Sequence, residues 1–290
     1  MDYARPDALV STEWLAAHLG DPAVAVIDAS FHLPDAKRDA SAEFVQAHIP
    51  GAVLFDIDDV CDPNSPLPHM VPSAELFGAK VGALGIGNDQ RVICYDVYGG
   101  ASAAARVWWM FRLFGHDNVA LLGGGLRSWR AEGREMESGK PSSPAASEYH
   151  ATMNPGLLRS IRQIRDNLDS GAEQVADARS PGRFDASEPE IRPGMRGGHI
   201  PGSRNLFFAD LIDRENHGTL KPAGALAEVI AKSGIDPNKP VVTTCGSGVT
   251  ACVPAFAFYL LGYPDVAVYD GSWTEWGGRD DTPVDTGPAD

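Results

Sequence analysis

Val241-Val242-Thr243-Thr244-Cys245-Gly246-Ser247-Gly248-Val249-Thr250, followed by the apolar run from Ala251 to Leu261, reads as strand, tight loop and helix. The β-branched residues favour a buried strand, and the long apolar run favours a helix. A loop of small residues ending at a helix N-terminus turns several backbone N–H groups toward one point, where the helix dipole also favours negative charge. The residue at that point is a cysteine. A thiolate stabilised in such a field is a nucleophile. Free cysteine is often buried for packing alone. The glycines, the hydroxyls of Ser247 and Thr250 and the strand-to-helix setting favour the nucleophile.

Outward from this loop, the chain repeats itself. Val26-Ile27-Asp28-Ala29-Ser30 recurs as Val175-Ala176-Asp177-Ala178-Arg179, 149 positions on (28 to 177), and His48-Ile49-Pro50-Gly51 recurs as His199-Ile200-Pro201-Gly202, 151 positions on (48 to 199). Leu84-Gly85-Ile86-Gly87 before Val92-Ile93-Cys94-Tyr95 is matched by Lys232-Ser233-Gly234-Ile235 before Val241 to Thr244. These pairs indicate a duplicated domain. Short β-branched runs alternate with amphipathic stretches such as Ser11 to Leu19 and Leu226 to Lys232, so each half is expected to be an α/β unit, a parallel sheet flanked by helices. Ligands then belong at the carboxyl ends of the strands, where Cys245 lies. The expected division is 1–136, a linker at 137–156 rich in Ser, Gly and Pro, and 157–290. The acidic tail from Asp280 to Asp290 is expected to be frayed.

The position in the first half that aligns with Cys245 is Asp96, so that half lacks the nucleophile. Trp108, Trp109 and Phe111, in the helix expected from Ala101 to Phe114, read as core or interdomain packing. Gly123-Gly124-Gly125 reads as a turn, because no Lys-Ser/Thr follows to make a phosphate loop. His48 and His199 recur in both halves, which favours a structural role for each.

A chain of 290 residues, 43% apolar, has room for two domains with a core in each. Its formal charge of −15 opposes nucleic acid and anionic membrane surfaces. An anionic small substrate would therefore need local arginines. The four cysteines, Cys61, Cys94, Cys245 and Cys252, show no metal-ligand spacing and are too few for a disulfide framework. No metal or cofactor is expected. The N-terminus reads as neither signal peptide nor membrane span, so a cytoplasmic protein is expected.

CGSGVT resembles the active-site loop of the mercaptopyruvate-specific branch of the tandem-domain rhodanese family, and the resemblance extends over nearly the whole chain. It implies two rhodanese-like domains and a sulfurtransferase in which Cys245 takes sulfur as a persulfide. It also implies that Arg183, in Gly182-Arg183-Phe184, and Arg192, in Glu188-Pro189-Glu190-Ile191-Arg192, hold the substrate carboxylate. Guanidinium forks suit carboxylates. Arg179 is a weaker third candidate. Gly246, Gly248, Val249 and Thr250 would complete the substrate site. Ser247, His69 and Asp58 match the family's relay, which would supply a proton to the departing pyruvate enolate across the domain interface. The family carries a tyrosine shortly before its Ala-Arg-Val-Trp-Trp segment. Here Gly100-Ala101-Ser102-Ala103-Ala104-Ala105-Arg106 is one residue shorter, with Tyr98 as the candidate replacement.

The implied partners are a small anionic sulfur donor and a thiol acceptor such as thioredoxin, or cyanide. Three other functions compete. A thiosulfate sulfurtransferase would carry basic side chains after the cysteine, where Gly246 and Ser247 are neutral. A phosphatase of the Cys-x5-Arg type would need arginine where Ala251 stands. A non-catalytic sulfur carrier would not need the serine, histidine, aspartate and arginines.

Overall fold

Each half is built on a five-stranded parallel sheet. The computed structural model describes residues 2–33, 36–100, 102–140 and 145–288. In the first half the strands are β1 (Leu9–Val10), β2 (Val24–Asp28), β3 (Val53–Leu54), β4 (Arg91–Tyr95) and β5 (Val119–Leu122), ordered β1-β5-β4-β2-β3. In the second they are β6 (Leu158–Arg159), β7 (Gln174–Asp177), β8 (Arg204–Asn205), β11 (Val241–Thr244) and β12 (Ala267–Tyr269), ordered β6-β12-β11-β7-β8. The second order is the first repeated. Only the antiparallel pair β9 (Ile212–Asp213) and β10 (Thr219–Leu220) lacks a counterpart among the described residues. Parallel pairing needs crossovers and leaves both sheet faces buried, which is why β4 and β11 read as continuous apolar or β-branched runs.

The crossovers and flanking helices are α1 (Thr12–Ala17), α2 (Ala40–Gln46), α3 (Ala74–Ala83), α4 (Ala103–Leu113) and α5 (Gly125–Ala131), then α6 (Ile161–Ser170), α7 (Pro181–Phe184), α8 (Ala223–Lys232), α9 (Cys252–Leu260) and α10 (Ser272–Trp276). Ser11, Ser73 and Ser160 cap α1, α3 and α6 by accepting backbone N–H groups, which fixes the start of each helix. Gly123 to Gly125 form the turn between β5 and α5, where Gly124 and Gly125 take positive φ.

The inner faces of the two sheets share one apolar cluster that runs from Phe55, Phe77 and Trp109 in the first half to Val253, Phe256 and Leu260 in the second. Helices α4 and α9 meet at its centre. All eleven residues of α4 and all nine of α9 are buried, and Trp108 packs edge-on against Phe256 and Tyr259, at 4.8 and 5.0 Å between ring centroids. The outer faces carry separate clusters, one in each half.

The repeated His-Ile-Pro-Gly turns are structural. His48 stacks on Phe44 and its Nδ1 pairs with the Phe44 carbonyl, while His199 does the same with Phe184. Each also bridges to a distant segment, Glu137 and Asp285.

Two segments are more firmly held than composition suggests. Of the interdomain stretch, residues 141–144 lie outside the described part. From Ser147 to Asn154 the chain straps the first half, with Ser147 N–H on the Gly82 carbonyl, Thr152 N–H on Phe114 and Tyr149 packed beside Phe77 and His116. The tail is not frayed up to Gly287. Thr282 is buried, accepts from Arg196 and donates to the Trp276 carbonyl, Trp276 Nε1 donates to Pro283, and Gly287 N–H reaches Asp185. These partners lie outside the tail, so its own composition does not reveal them; residues 289 and 290 lie outside the described part.

Candidate functional site

Strand β11 ends at Thr244 and delivers Cys245 into a loop fixed from behind. The carbonyls of Cys245 and Gly246 accept the N–H groups of Trp273 and Thr274, at 2.9 and 2.8 Å, and the Cys245 N–H donates to Ser272 Oγ at 3.2 Å. With the carbonyls tied to α10, the other side of the loop presents donors. The backbone N–H groups from Gly246 to Ala251 find no acceptor among the described residues. A row of unpaired N–H groups at the start of a helix is a site for an anion.

The first half shows such a loop filled. Asp96, in the place of Cys245, accepts the N–H groups of Tyr98 (2.8 Å), Gly100 (2.9 Å) and Ala104 (3.1 Å). By the same offset, the N–H groups of Ser247 and Val249 correspond to those of Tyr98 and Gly100. One half fills its loop with a built-in carboxyl group, and the other carries a thiol in the corresponding place.

Cys245 opens into a cavity of about 930 Å³ between the halves. Gly246, Ser247, Val249, Thr250, Arg179, Arg183 and Arg192 line it from the second half, and Phe31, Tyr98 and Arg127 from the first. Tyr98 is held by His32 at 2.8 Å. Ala101, one residue of the divergent segment, lies outside the described part. Gly248 does not line the cavity. Its φ is +76°, and a Cβ there would lie 2.7 Å from the Asp270 carbonyl and 2.8 Å from Arg106, so it serves the turn and not the ligand.

The three arginines differ in their commitments. Arg179, 2% exposed, is saturated by Asp177, Glu190 and the Gly198 carbonyl. Arg183 gives Nε and NH2 to Glu190 at 3.0 and 2.6 Å. Arg192 has no hydrogen bond or ion pair among the described residues and remains available to a ligand.

His69 and Asp58 lie together, Nδ1 to Oδ1 at 2.5 Å, although the carboxylate is off the line of the ring N–H. Neither lines the cavity, and no hydrogen bond joins His69 to Ser247. Burial holds the imidazole pKa below its usual value; Asp58 opposes this, and the charges of Arg106 and Arg192 add to it. His69 is therefore neutral near pH 7.

Arg106 joins this pair to the loop. The residue is fully buried in α4, and its guanidinium donates to the His69 carbonyl, to the Gly248 carbonyl (3.0 Å) and to Asp270 (2.5 Å). The other oxygen of Asp270 accepts the Val71 N–H at 2.8 Å. Burial is the largest single influence and opposes the charge of this guanidinium, but its partners together, Asp270 foremost, raise its pKa and keep the ion protonated.

The family described as the rhodanese-like domain matches twice, at residues 11–132 and 160–279, one match on each sheet. The chain belongs to the rhodanese family. It is 46% identical to human 3-mercaptopyruvate sulfurtransferase over 93% of this chain and 91% of that protein. It is 44% identical to mouse thiosulfate sulfurtransferase over 93% of this chain and 91% of that one. The solved structure of the 3-mercaptopyruvate sulfotransferase SseA from Escherichia coli superposes with a TM-score of 0.83 at 37% identity, covering 92% of this chain and 98% of that one. Relatives of similar identity thus carry names for two different sulfur donors.

Within this rhodanese pair, burial pushes the thiols of Cys61, Cys94 and Cys252 up, which leaves them poor nucleophiles. Two residues at the site escaped sequence reasoning, Arg106 and Glu190. The only signal for the first is an arginine amid the apolar Ala-Arg-Val-Trp-Trp run; for the second it is a glutamate two residues before Arg192.

Proposed function

We propose that the chain moves the sulfur of 3-mercaptopyruvate through a Cys245 persulfide to an acceptor thiol, thioredoxin or cyanide, and releases pyruvate. The observation that carries this reading is the row of unpaired N–H donors from Gly246 to Ala251 around a cysteine in an arginine-lined cavity. The Cys245 thiolate attacks the substrate sulfur and forms the S–S bond. The C–S bond breaks, and its electron pair becomes the pyruvate enolate. Arg192, with the free edge of Arg183, holds the carboxylate. Ser247, backed by neutral His69 and Asp58, supplies the proton that the enolate carbon takes up. The loop N–H groups stabilise the outer sulfur anion. An acceptor thiolate then attacks that sulfur, the S–S bond breaks and the Cys245 thiolate returns.

Thiosulfate is the second donor, a reading supported by the likeness to the mouse thiosulfate sulfurtransferase. The nucleophile must remain a thiol between turnovers, so we assign the enzyme to a reducing compartment, the cytoplasm. Among the described residues, no helix is long and apolar enough to cross a membrane.

The test is intact-protein mass after exposure to mercaptopyruvate without acceptor. A gain of one sulfur, about 32 Da, together with stoichiometric pyruvate, is expected in the wild type and in Cys61→Ser or Cys252→Ala, and neither in Cys245→Ser. An undiminished gain in Cys245→Ser would end the proposal.

A further inference from the structure

We propose that Glu190 determines which sulfur donor Cys245 accepts, by cancelling the charge of Arg183, the cavity-lining guanidinium beside Gly246. The inference rests on the sulfurtransferase reading and deepens it. Five arginines line the cavity, Arg127, Arg179, Arg183, Arg192 and Arg214. Two carboxylates answer the charges of two of them. Asp177 binds Arg179, and Glu190 binds both Arg179 (2.6 Å) and Arg183 (2.6 Å). The Glu190 side chain is only 4% exposed, so solvent screens its charge little. Glu188 also lies on the cavity wall, but it is exposed and bonded to Ser180, where water screens it.

The balance matches one kind of donor. A monoanion with its carboxylate remote from the sulfur needs one free cation, and Arg192 supplies it. A compact dianion such as thiosulfate brings its second charge against the loop, where the cavity-lining guanidinium beside Gly246 is that of Arg183. The closeness of that guanidinium is set by the glycine at 246, whose added Cβ would lie 3.2 Å from Arg183 NH2. A dianion reaching Arg183 there meets a cation whose charge Glu190 has already answered. Glu190 thus acts behind the wall, as a specificity-determining residue that touches neither donor.

Glu190→Gln keeps the shape and removes the charge, while Glu190→Asp keeps the charge and alters the fit. The specificity constant for thiosulfate divided by that for mercaptopyruvate is expected to rise about tenfold in Glu190→Gln and to stay near wild type in Glu190→Asp. A second readout needs no turnover. Inorganic sulfate, an inert dianion, should protect Cys245 from iodoacetamide at about tenfold lower concentration in Glu190→Gln, while protection by pyruvate changes less. An unchanged ratio in an active Glu190→Gln enzyme overturns the proposal, as does an equal change in Glu190→Asp or equal gains for sulfate and pyruvate. If neither donor is turned over but sulfate protection improves as stated, the donor reading falls and the role of Glu190 stands.

Discussion

Two glycines one residue apart in the loop face different constraints, and substitution separates them. Gly248 combines a left-handed backbone with contacts to Asp270 and Arg106 that leave no space for a Cβ. Gly248→Ala should cost roughly 2–4 kcal/mol in chemical denaturation and lower turnover with every donor, because it displaces the loop itself. At Gly246 the only close atom is Arg183 NH2, the end of a flexible side chain. Gly246→Ala should unfold near the wild-type midpoint while raising the Michaelis constant for mercaptopyruvate; a large stability loss there would show that the loop is tighter than its contacts indicate. His69 gives a pH signature. Its pKa in the fold lies below the usual value, chiefly through burial, so the unfolded chain binds the proton more readily. The stabilisation is complete above the unfolded value of about 6.5 and is lost as pH falls from there toward the folded value. His116 shifts the same way through burial and shares the effect. The thermal midpoint of the wild type should therefore fall more steeply below about pH 6.5 than that of His69→Gln, and parallel curves would refute the assignment.

Helix α4 is the element on which the site depends from a distance. Arg106 occupies the centre of the interface, where one guanidinium holds the backbone of His69, the backbone of Gly248 and the side chain of Asp270. Replacing it with leucine leaves Asp270 buried without its cation, which should cost about 3–5 kcal/mol. Adding Asp270→Leu should recover part of that stability and none of the mercaptopyruvate turnover, because the carbonyls of His69 and Gly248 remain unheld. Recovery of both together would reduce Arg106 to an ordinary ion pair. These residues also mark how far the sequence was readable. The β11 strand, the loop and α9 follow from a short local pattern, and the His-Ile-Pro-Gly turns follow from repetition. Cys245, Ser247, Arg183 and Arg192, singled out by their motifs, line one cavity. Arg106 is paired with Asp270, 164 positions away, and nothing in the helical period of α4 distinguishes a buried ion from an exposed one. Glu190 stands in an acidic, proline-containing segment that looks solvated; its burial comes from the two arginines that fold over it. Partnerships made by tertiary approach leave no periodic trace.

At the scale of the whole molecule, the two half-sites divide the proposed chemistry between them. The nucleophile, the loop donors and Arg179, Arg183 and Arg192 belong to the second half, whereas His69 and Asp58 come from the first. Sulfur removal from thiosulfate releases sulfite and protonates no carbon, so it draws only on the second half. In the proposed mechanism, release of pyruvate needs the relay from the first half and therefore correct seating of α4 on α9. Trp108 is the largest side chain at that seat, packed against Phe256 and Tyr259 and crossed by the Arg112 guanidinium at 5.2 Å. Trp108→Ala should destabilise the protein by about 3–5 kcal/mol and loosen the contact without touching the cavity. Single-turnover measurements on the folded fraction should then show pyruvate release slowed well beyond persulfide formation from thiosulfate. If both steps slow in equal proportion, the interface supports the loop itself and not the relay, and the division of labour between the halves is wrong.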